Sequence, residues 1–114
     1  MTMEMSQPVP ELPVSDVEKA QDYYQKYFGC KIEWIYPGKE MAAVSNGETA
    51  IFFRKRTNTF QPAVLWVYCH DVDATYKELL AVGADIVEEI EEKPWNLRQF
   101  TVYDFDGNVL YFHG

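Results

Sequence analysis

Apolar residues in the first half of the chain follow two periods, which predict one helix between short strands. Five of them recur at intervals of three and four and would share one helix face: Val17, Ala20, Tyr24, Tyr27 and Phe28. The capping-box pattern Ser15-x-x-Glu18 predicts where this helix begins, and Gly29 predicts where it ends. Residues 11–14 before the helix and residues 31–36 after it have the pattern of strands.

Turn residues divide the rest of this half into two more strands. Pro37-Gly38 ends the strand over residues 31–36, and Asn46-Gly47 is a strong hairpin signal between the apolar segments 41–44 and 49–53. A polar stretch follows and predicts a connection to the second half of the chain. The first half therefore has the predicted order β-α-β-β-β.

The second half repeats this order. An apolar strand over residues 63–68 precedes a helix that begins at Asp71 and ends at Gly83. Residues 86–90 form the next predicted strand. The last two strands are residues 100–103 and 109–112, joined by the turn Asp104-Phe105-Asp106-Gly107.

A repeat of this size predicts an α+β fold of two βαβββ modules that share one core. We expect a flexible tail at residues 1–7 and a single domain at residues 8–114, in which module 1 is residues 8–56, the linker is 57–62 and module 2 is 63–114. The four strands of each module would curl into a half-open β-barrel cup. Two such cups side by side would enclose a cavity lined by alternate strand residues.

Composition narrows the class of partner. The chain has 114 residues, of which 47% are hydrophobic and 16% aromatic, and its net charge is -8. The negative charge disfavours nucleic acid and suits a cationic partner. The two cysteines, Cys30 and Cys69, form no C-x-x-C motif, and neither a signal-peptide pattern nor a run of ~18 apolar residues is present. We therefore expect a cytoplasmic protein that uses no membrane.

The sequence resembles the vicinal oxygen chelate superfamily, which holds glyoxalase I, extradiol dioxygenases, and fosfomycin and bleomycin resistance proteins. The resemblance covers most of the chain and is carried by the order and spacing of six phrases: LPVSDVEKA at residues 12–20, YY at 23–24, FG at 28–29, DVDA at 71–74, PWNLRQF at 94–100 and DFDGN at 104–108. It implies the same fold of paired βαβββ modules.

Metalloenzymes of this superfamily take one metal ligand from the first and one from the last strand of each module. The resemblance places these four positions at Val9, Phe52, Val64 and Tyr111. Three hydrocarbon side chains and a neutral phenol cannot hold a divalent cation, which needs imidazole, carboxylate or thiolate donors. The sequence is therefore most similar to the metal-free bleomycin resistance branch, and we expect no cofactor and lean away from an enzyme.

That branch implies a function and a partner. Its members sequester a cationic, flat aromatic antibiotic without chemical change, and they form homodimers whose N-terminal arms are often exchanged. We expect the cup to be completed in such a dimer, with a swapped arm at Pro8-Val9-Pro10. The alternative is a metal-dependent glyoxalase- or dioxygenase-like enzyme that uses displaced ligands such as Glu11 and His113.

Aromatic residues supply the candidate binding site. Alternation along the strands would turn Trp66 toward the cavity together with the four ligand-equivalent positions, and likewise Glu11, Arg54 and His113. Residues 34–36 would lie near the mouth of the cup, while Phe60 and Trp95 lie in predicted loops. Seven residues form the expected ligand-binding set: Trp34, Tyr36, Phe52, Phe60, Trp66, Trp95 and Tyr111.

Two acidic segments could each be interpreted as a cation site. The pattern Asp104-x-Asp106-Gly107 suggests a calcium loop, but its spacing would put His113 where the closing glutamate belongs, so we reject a calcium site. The acidic run within residues 88–92 has the pattern of a solvated face, and the rim of a groove for a cation is the alternative.

Overall fold

The computed structural model describes residues 2–114, and it contains ten helices and strands in the predicted order. Module 1 holds β1 Glu11–Val14, α1 Val17–Phe28, β2 Lys31–Ile35, β3 Met41–Asn46 and β4 Thr49–Lys55. Module 2 holds β5 Val64–Tyr68, α2 Val72–Val82, β6 Asp85–Glu92, β7 Arg98–Tyr103 and β8 Val109–His113. Neither helix in this part of the chain is long and apolar enough to cross a membrane.

Each module forms its own four-stranded sheet, and the two sheets have matching topology. The strand orders are β1-β4-β3-β2 and β5-β8-β7-β6. In each sheet the first strand of the module pairs in parallel with the last, and the other neighbours are antiparallel. The structure thus confirms the α+β fold of two βαβββ modules. The sheets stay open, and no closed barrel is formed among residues 2–114.

Helix ends are fixed by the residues the sequence pattern indicates, with one exception. Gly29 and Gly83 both adopt the left-handed conformation, with φ of 67° and 78°, and end α1 and α2. Asp71 begins α2 by accepting a hydrogen bond from the backbone N–H of Ala74. The prediction that Ser15 caps α1 is wrong, because Asp16 takes the first orphan N–H groups and leaves Ser15 outside the helix.

The two modules share a single hydrophobic core. It holds alternate residues of the central strands, such as Phe53 and Phe112, together with the inner faces of both helices. Aromatic rings cross the boundary between modules, since the ring of Phe28 in α1 lies 5.9 Å from that of Phe112 in β8. Both helices therefore lie on the core side of their sheets, and no helix or strand among the described residues covers the opposite side of either sheet.

A buried polar network also joins the modules, and we call its turn, residues 104–108, the module junction. The Asp104 carboxylate accepts hydrogen bonds from the Tyr24 hydroxyl at 2.7 Å and from the backbone N–H groups of Asp106 and Asn108. The Asn108 amide donates to the Pro13 carbonyl at 2.9 Å in module 1. Burial raises the pKa of the Asp104 carboxyl above its usual value, although the four donors around it oppose that shift. The segment that resembled a calcium loop is therefore a structural connection between modules.

The side of each sheet that faces away from the core leaves large aromatic side chains exposed, such as Tyr36 directly after β2 in the first sheet. Trp66 is 51% exposed and Tyr68 is 65% exposed, both on β5. Within residues 2–114 no strand pairing joins the two sheets into a common wall, and these side chains stay open to solvent in a single copy, so the predicted cups are half-open there. The molecule measures 45 × 42 × 26 Å and its radius of gyration is 14.9 Å, above the roughly 13 Å typical of a compact domain of this length.

Candidate ligand-binding site

Strand alternation places most of the candidate residues on the two exposed sheet faces. We define open face 1 as the side of the first sheet that faces away from the core; it carries Glu11, Trp34, Tyr36, Phe52 and Arg54. Open face 2 is the corresponding side of the second sheet, and it carries Trp66, Tyr68, Tyr111, His113, Gln99 and Thr101. The buried strand neighbours of these residues, such as Leu12, Phe53 and Leu110, belong to the core, so the facing predicted by alternation is correct in β1, β4, β5 and β8.

On open face 1, three aromatic rings form one cluster. The Trp34 ring stacks on the Tyr36 ring at 4.9 Å and meets the Phe52 ring edge-on at 5.1 Å. A register shift in β2 between Ile32 and Ile35 turns Trp34 toward this face. The Gln21 amide of α1 fixes the backbone there, because it donates to the carbonyls of Trp34 and Ala43.

A charged pair borders this cluster. Phe52 pairs with Glu11 across the parallel strands β1 and β4, and the Glu11 carboxylate lies 2.8 Å from the Arg54 guanidinium and 4.0 Å from that of Arg56. The hydrogen bond from Arg54 holds the pKa of Glu11 below its usual range. Glu11 is therefore an ionised partner of two arginines, so its carboxylate is a poor proton acceptor. A metal ion would have to compete with both guanidinium groups for it.

On open face 2, aromatic and polar residues lie in two rows that cross the whole sheet. The strand register aligns Trp66, Tyr111, Thr101 and Glu88 in one row. It aligns Tyr68, His113, Gln99 and Glu91 in the next. Each row therefore begins with two aromatic side chains, continues with a neutral polar side chain and ends with a carboxylate.

The aromatic ends of the two rows contact one another. The Trp66 ring lies 4.5 Å from the Tyr111 ring and 5.7 Å from the His113 ring, and Tyr68 meets His113 edge-on at 5.8 Å. Together they form a continuous aromatic surface that is half exposed at Trp66. Such a surface is suited to stacking with a flat ring system.

The β6–β7 hairpin borders the acidic ends of the rows. Trp95 in this hairpin donates its indole N–H to the Gln99 side chain at 3.0 Å, and it remains 56% exposed. Lys93 pairs with Glu88 at 3.3 Å and also with Glu91. The hydrogen bond from Lys93 to Glu91 raises the pKa of the Lys93 ammonium, so this group stays charged at neutral pH.

Phe60 does not join either aromatic cluster. It is half-buried in the segment between β4 and β5 and lines a surface hollow of about 380 Å³ with residues 55–59. A second hollow, of about 320 Å³, lies beside the β6–β7 hairpin at Glu92, Arg98 and Gly114. The ligand-binding role of all seven candidates remains a prediction. Five of them lie on the open faces, and Trp95 is hydrogen-bonded to Gln99 there.

The positions that carry metal in the metalloenzymes do not fit a metal here. Phe52 packs on Trp34, Tyr111 packs on Trp66, Val64 is exposed, and Val9 precedes β1. Across residues 2–114, no group of three or more His, Cys, Asp or Glu side chains is placed to hold a metal ion. Within one copy the displaced ligands suggested by the sequence lie in different sheets, since Glu11 pairs with arginines in one sheet and His113 packs between aromatic rings in the other.

Sequence reasoning missed part of open face 2. Tyr68 has the same alternation as Trp66 and could have been found from it. Thr101 lies within the predicted strand over residues 100–103 and could have been found by the same alternation, whereas Gln99 precedes the start predicted for that strand. Glu88 and Glu91 share one face because of the register shift that lies between them in β6, which no alternation rule predicts.

A comparison by sequence identifies a family. The sequence profile described as the Glyoxalase/Bleomycin resistance protein/Dioxygenase superfamily matches residues 6–112. No match was found among curated proteins.

Comparison with solved structures gives many proteins of the same fold. TioX from Micromonospora sp. ML1 is 28% identical, with a TM-score of 0.82 over 96% of this chain and 98% of that chain. A superfamily member from Sphaerobacter thermophilus DSM 20745 is 23% identical, with a TM-score of 0.81 over 98% of both chains. A lactoylglutathione lyase from Agrobacterium tumefaciens is 16% identical, with a TM-score of 0.79 over 97% of this chain and 95% of that chain. The last two show likeness of fold alone.

Proposed function

The chain belongs to the glyoxalase/bleomycin resistance protein/dioxygenase superfamily, and we propose that its activity is to bind a flat, aromatic, cationic small molecule without changing it chemically. Sequestration of this kind is the role that the resemblance to bleomycin resistance proteins implies. The observation that carries the proposal is the pair of cross-strand rows on open face 2, which run from Trp66 and Tyr68 to Glu88 and Glu91.

The rows match the two chemical features of such a ligand. An exposed aromatic surface gives a flat ring system a place to stack, and this adds to the free energy of area burial by about 0.5–1.5 kcal/mol per ring pair. Carboxylates at the far end attract a positive group, and the net charge of -8 raises the rate of encounter with a cation. Open face 1 offers a second aromatic cluster at Trp34, Tyr36 and Phe52.

We further propose that the site is completed between two copies of the chain. The accessible surface is 7647 Å², whereas a compact monomer of 13.3 kDa exposes about 6,450 Å². That excess of roughly 1,200 Å² is larger than the roughly 800 Å² which each partner buries in a stable dimer. In a two-fold dimer, open face 1 of each copy would cover open face 2 of the other copy, so the dimer would contain two equivalent sites.

The N-terminal segment supports the same arrangement. Residues 2–10 form no helix or strand, and Met3 and Met5 are each at least 80% exposed. Apolar side chains at this exposure suit an arm that packs on a partner. Pro8 and Pro10 stiffen the end of the arm where it enters β1.

Charge substitution on open face 2 tests the dimer. We expect the wild-type protein to sediment as a dimer at micromolar concentration and Tyr68→Arg to sediment as a monomer, because a guanidinium cannot be buried there unpaired. Leu80→Arg is the matched control, since Leu80 is 53% exposed on α2, and it should stay dimeric. A wild-type monomer, or identical behaviour of the two variants, would contradict the proposed interface.

Titration with metal-free bleomycin, followed by tryptophan fluorescence, tests the function. We expect saturable quenching, because Trp66 and Trp95 are exposed where the ligand would lie, and recovery of unaltered drug by mass spectrometry. Metal analysis of protein purified without chelator separates this proposal from the alternative, a metal-dependent glyoxalase- or dioxygenase-like enzyme. A stoichiometric metal together with turnover would favour the enzyme and end the proposal.

A further inference from the structure

The acidic ends of the two rows on open face 2 are already occupied by a cation of the protein itself. The Lys93 ammonium lies 3.3 Å from the Glu88 carboxylate and hydrogen-bonds to the Glu91 carboxylate. It also lies 6.0 Å from the centre of the Trp95 ring. Only 11% of the Lys93 side chain is exposed, although it is on a hairpin at the molecular surface.

The surroundings of Lys93 are held in place independently of it. The Glu88 carboxylate also accepts a hydrogen bond from the Thr101 hydroxyl at 3.1 Å. The Trp95 indole is fixed by its hydrogen bond to Gln99, which is 2% exposed. The hairpin backbone is closed by the hydrogen bonds from Lys93 N–H to Leu97 and from Asn96 N–H to Lys93. The Lys93 side chain can therefore rotate away while the Glu88 carboxylate and the indole keep their positions.

From this arrangement we infer that Lys93 is a built-in occupant of a cation subsite, which the positive group of a ligand displaces. The inference rests on the proposed function and adds to it a place for the charged group. Two carboxylates and an indole face surround one ammonium, and they would serve an amine or guanidine of a ligand equally well. While Lys93 holds the subsite, cations that cannot also stack on the aromatic surface gain little by replacing it.

The register of the strands also fixes the distance that the ligand must span between the aromatic surface and the cation subsite. Trp66 and Glu88 are at opposite ends of one row, three strand spacings apart, which is roughly 14 Å. A compact cation cannot reach both ends. The ligand class is therefore a flat ring system that carries a positive group on an arm of about 10 Å or more.

A fluorescent probe with this shape tests the inference. Dansylcadaverine carries a naphthalene ring and a protonated amine on a five-carbon arm, and its N-acetyl derivative has the same shape without the charge. Binding of each is followed by dansyl fluorescence polarisation to the wild-type protein and to Lys93→Met. We expect Lys93→Met to bind the charged probe about 5- to 10-fold more tightly, because an ion pair and a cation–π contact no longer compete, and the acetylated probe with unchanged affinity.

Two further variants separate charge from packing. Lys93→Arg keeps a cation in the subsite and should bind like the wild type. Adding Glu88→Gln and Glu91→Gln to Lys93→Met should bring the affinity for the charged probe down to that for the acetylated probe. An equal gain for both probes, or no gain for the charged one, would overturn the inference. If bleomycin quenches tryptophan fluorescence while Lys93→Met leaves probe binding unchanged, the inference fails and the proposed function stands.

Discussion

Replacing Asp104 with alanine is expected to lower the free energy of unfolding by about 3 to 4 kcal/mol. The Asp104 carboxylate is 5% exposed and accepts four hydrogen bonds. Its removal leaves the Tyr24 hydroxyl without an acceptor inside the protein and leaves the Asn108 amide with only its hydrogen bond to the Pro13 carbonyl. It also releases the turn that joins module 2 to module 1. Urea unfolding followed by circular dichroism measures the loss, and the midpoint of thermal unfolding should fall by roughly 10 to 20 °C.

Asp106→Ala is the matched control for this prediction. Asp106 lies in the same turn, and its carboxylate accepts one exposed hydrogen bond, from the backbone N–H of Ser15 at 3.0 Å. Its replacement should cost about 1 kcal/mol or less. Equal losses for the two variants would mean that the turn contributes through its backbone, and that the buried network does not connect the modules as described.

Trp66→Ala is expected to weaken ligand binding by about 1 to 3 kcal/mol, which is roughly a 5- to 150-fold increase in the dissociation constant. Trp66 contributes the largest ring of the aromatic surface, and its neighbours Tyr111 and His113 lose their stacking partner with it. Isothermal titration calorimetry with metal-free bleomycin measures the change without relying on the fluorescence of the residue removed.

Phe105→Ala provides the control for the loss of an exposed aromatic ring. Phe105 is 60% exposed, but it lies in the module junction, where its ring is 6.4 Å from that of Tyr23 on α1. Its replacement should leave the dissociation constant unchanged. The proposed location of the site would be wrong if Phe105→Ala weakened binding as much as Trp66→Ala.

The order of elements and the facing of the strands could be predicted from the sequence, since both depend on local signals. Alternation along each strand correctly turned Phe52, Trp66 and Tyr111 away from the core. Glycines at 29 and 83 marked both helix ends, because only a left-handed residue continues the chain there. The profile match over residues 6–112 confirms the superfamily that the phrases indicated.

Features that depend on register or on contacts between modules could not be predicted. Both Ser15 and Asp16 suit a helix start, and tertiary structure selects Asp16 because the Ser15 N–H is used by Asp106. Glu88 and Glu91 share a face only because β6 shifts register between them. The position of Lys93 between them depends on that shift, so the cation subsite is visible only in three dimensions.

A complementation measurement tests the central claim most directly, namely that each site combines open face 1 of one copy with open face 2 of its partner. Trp34→Ala damages open face 1, and Trp66→Ala damages open face 2. A heterodimer of the two variants, purified through two different affinity tags, should hold one intact site and bind one equivalent of bleomycin with wild-type affinity. If that heterodimer binds no better than either variant homodimer, the site does not lie between two copies and the account is contradicted.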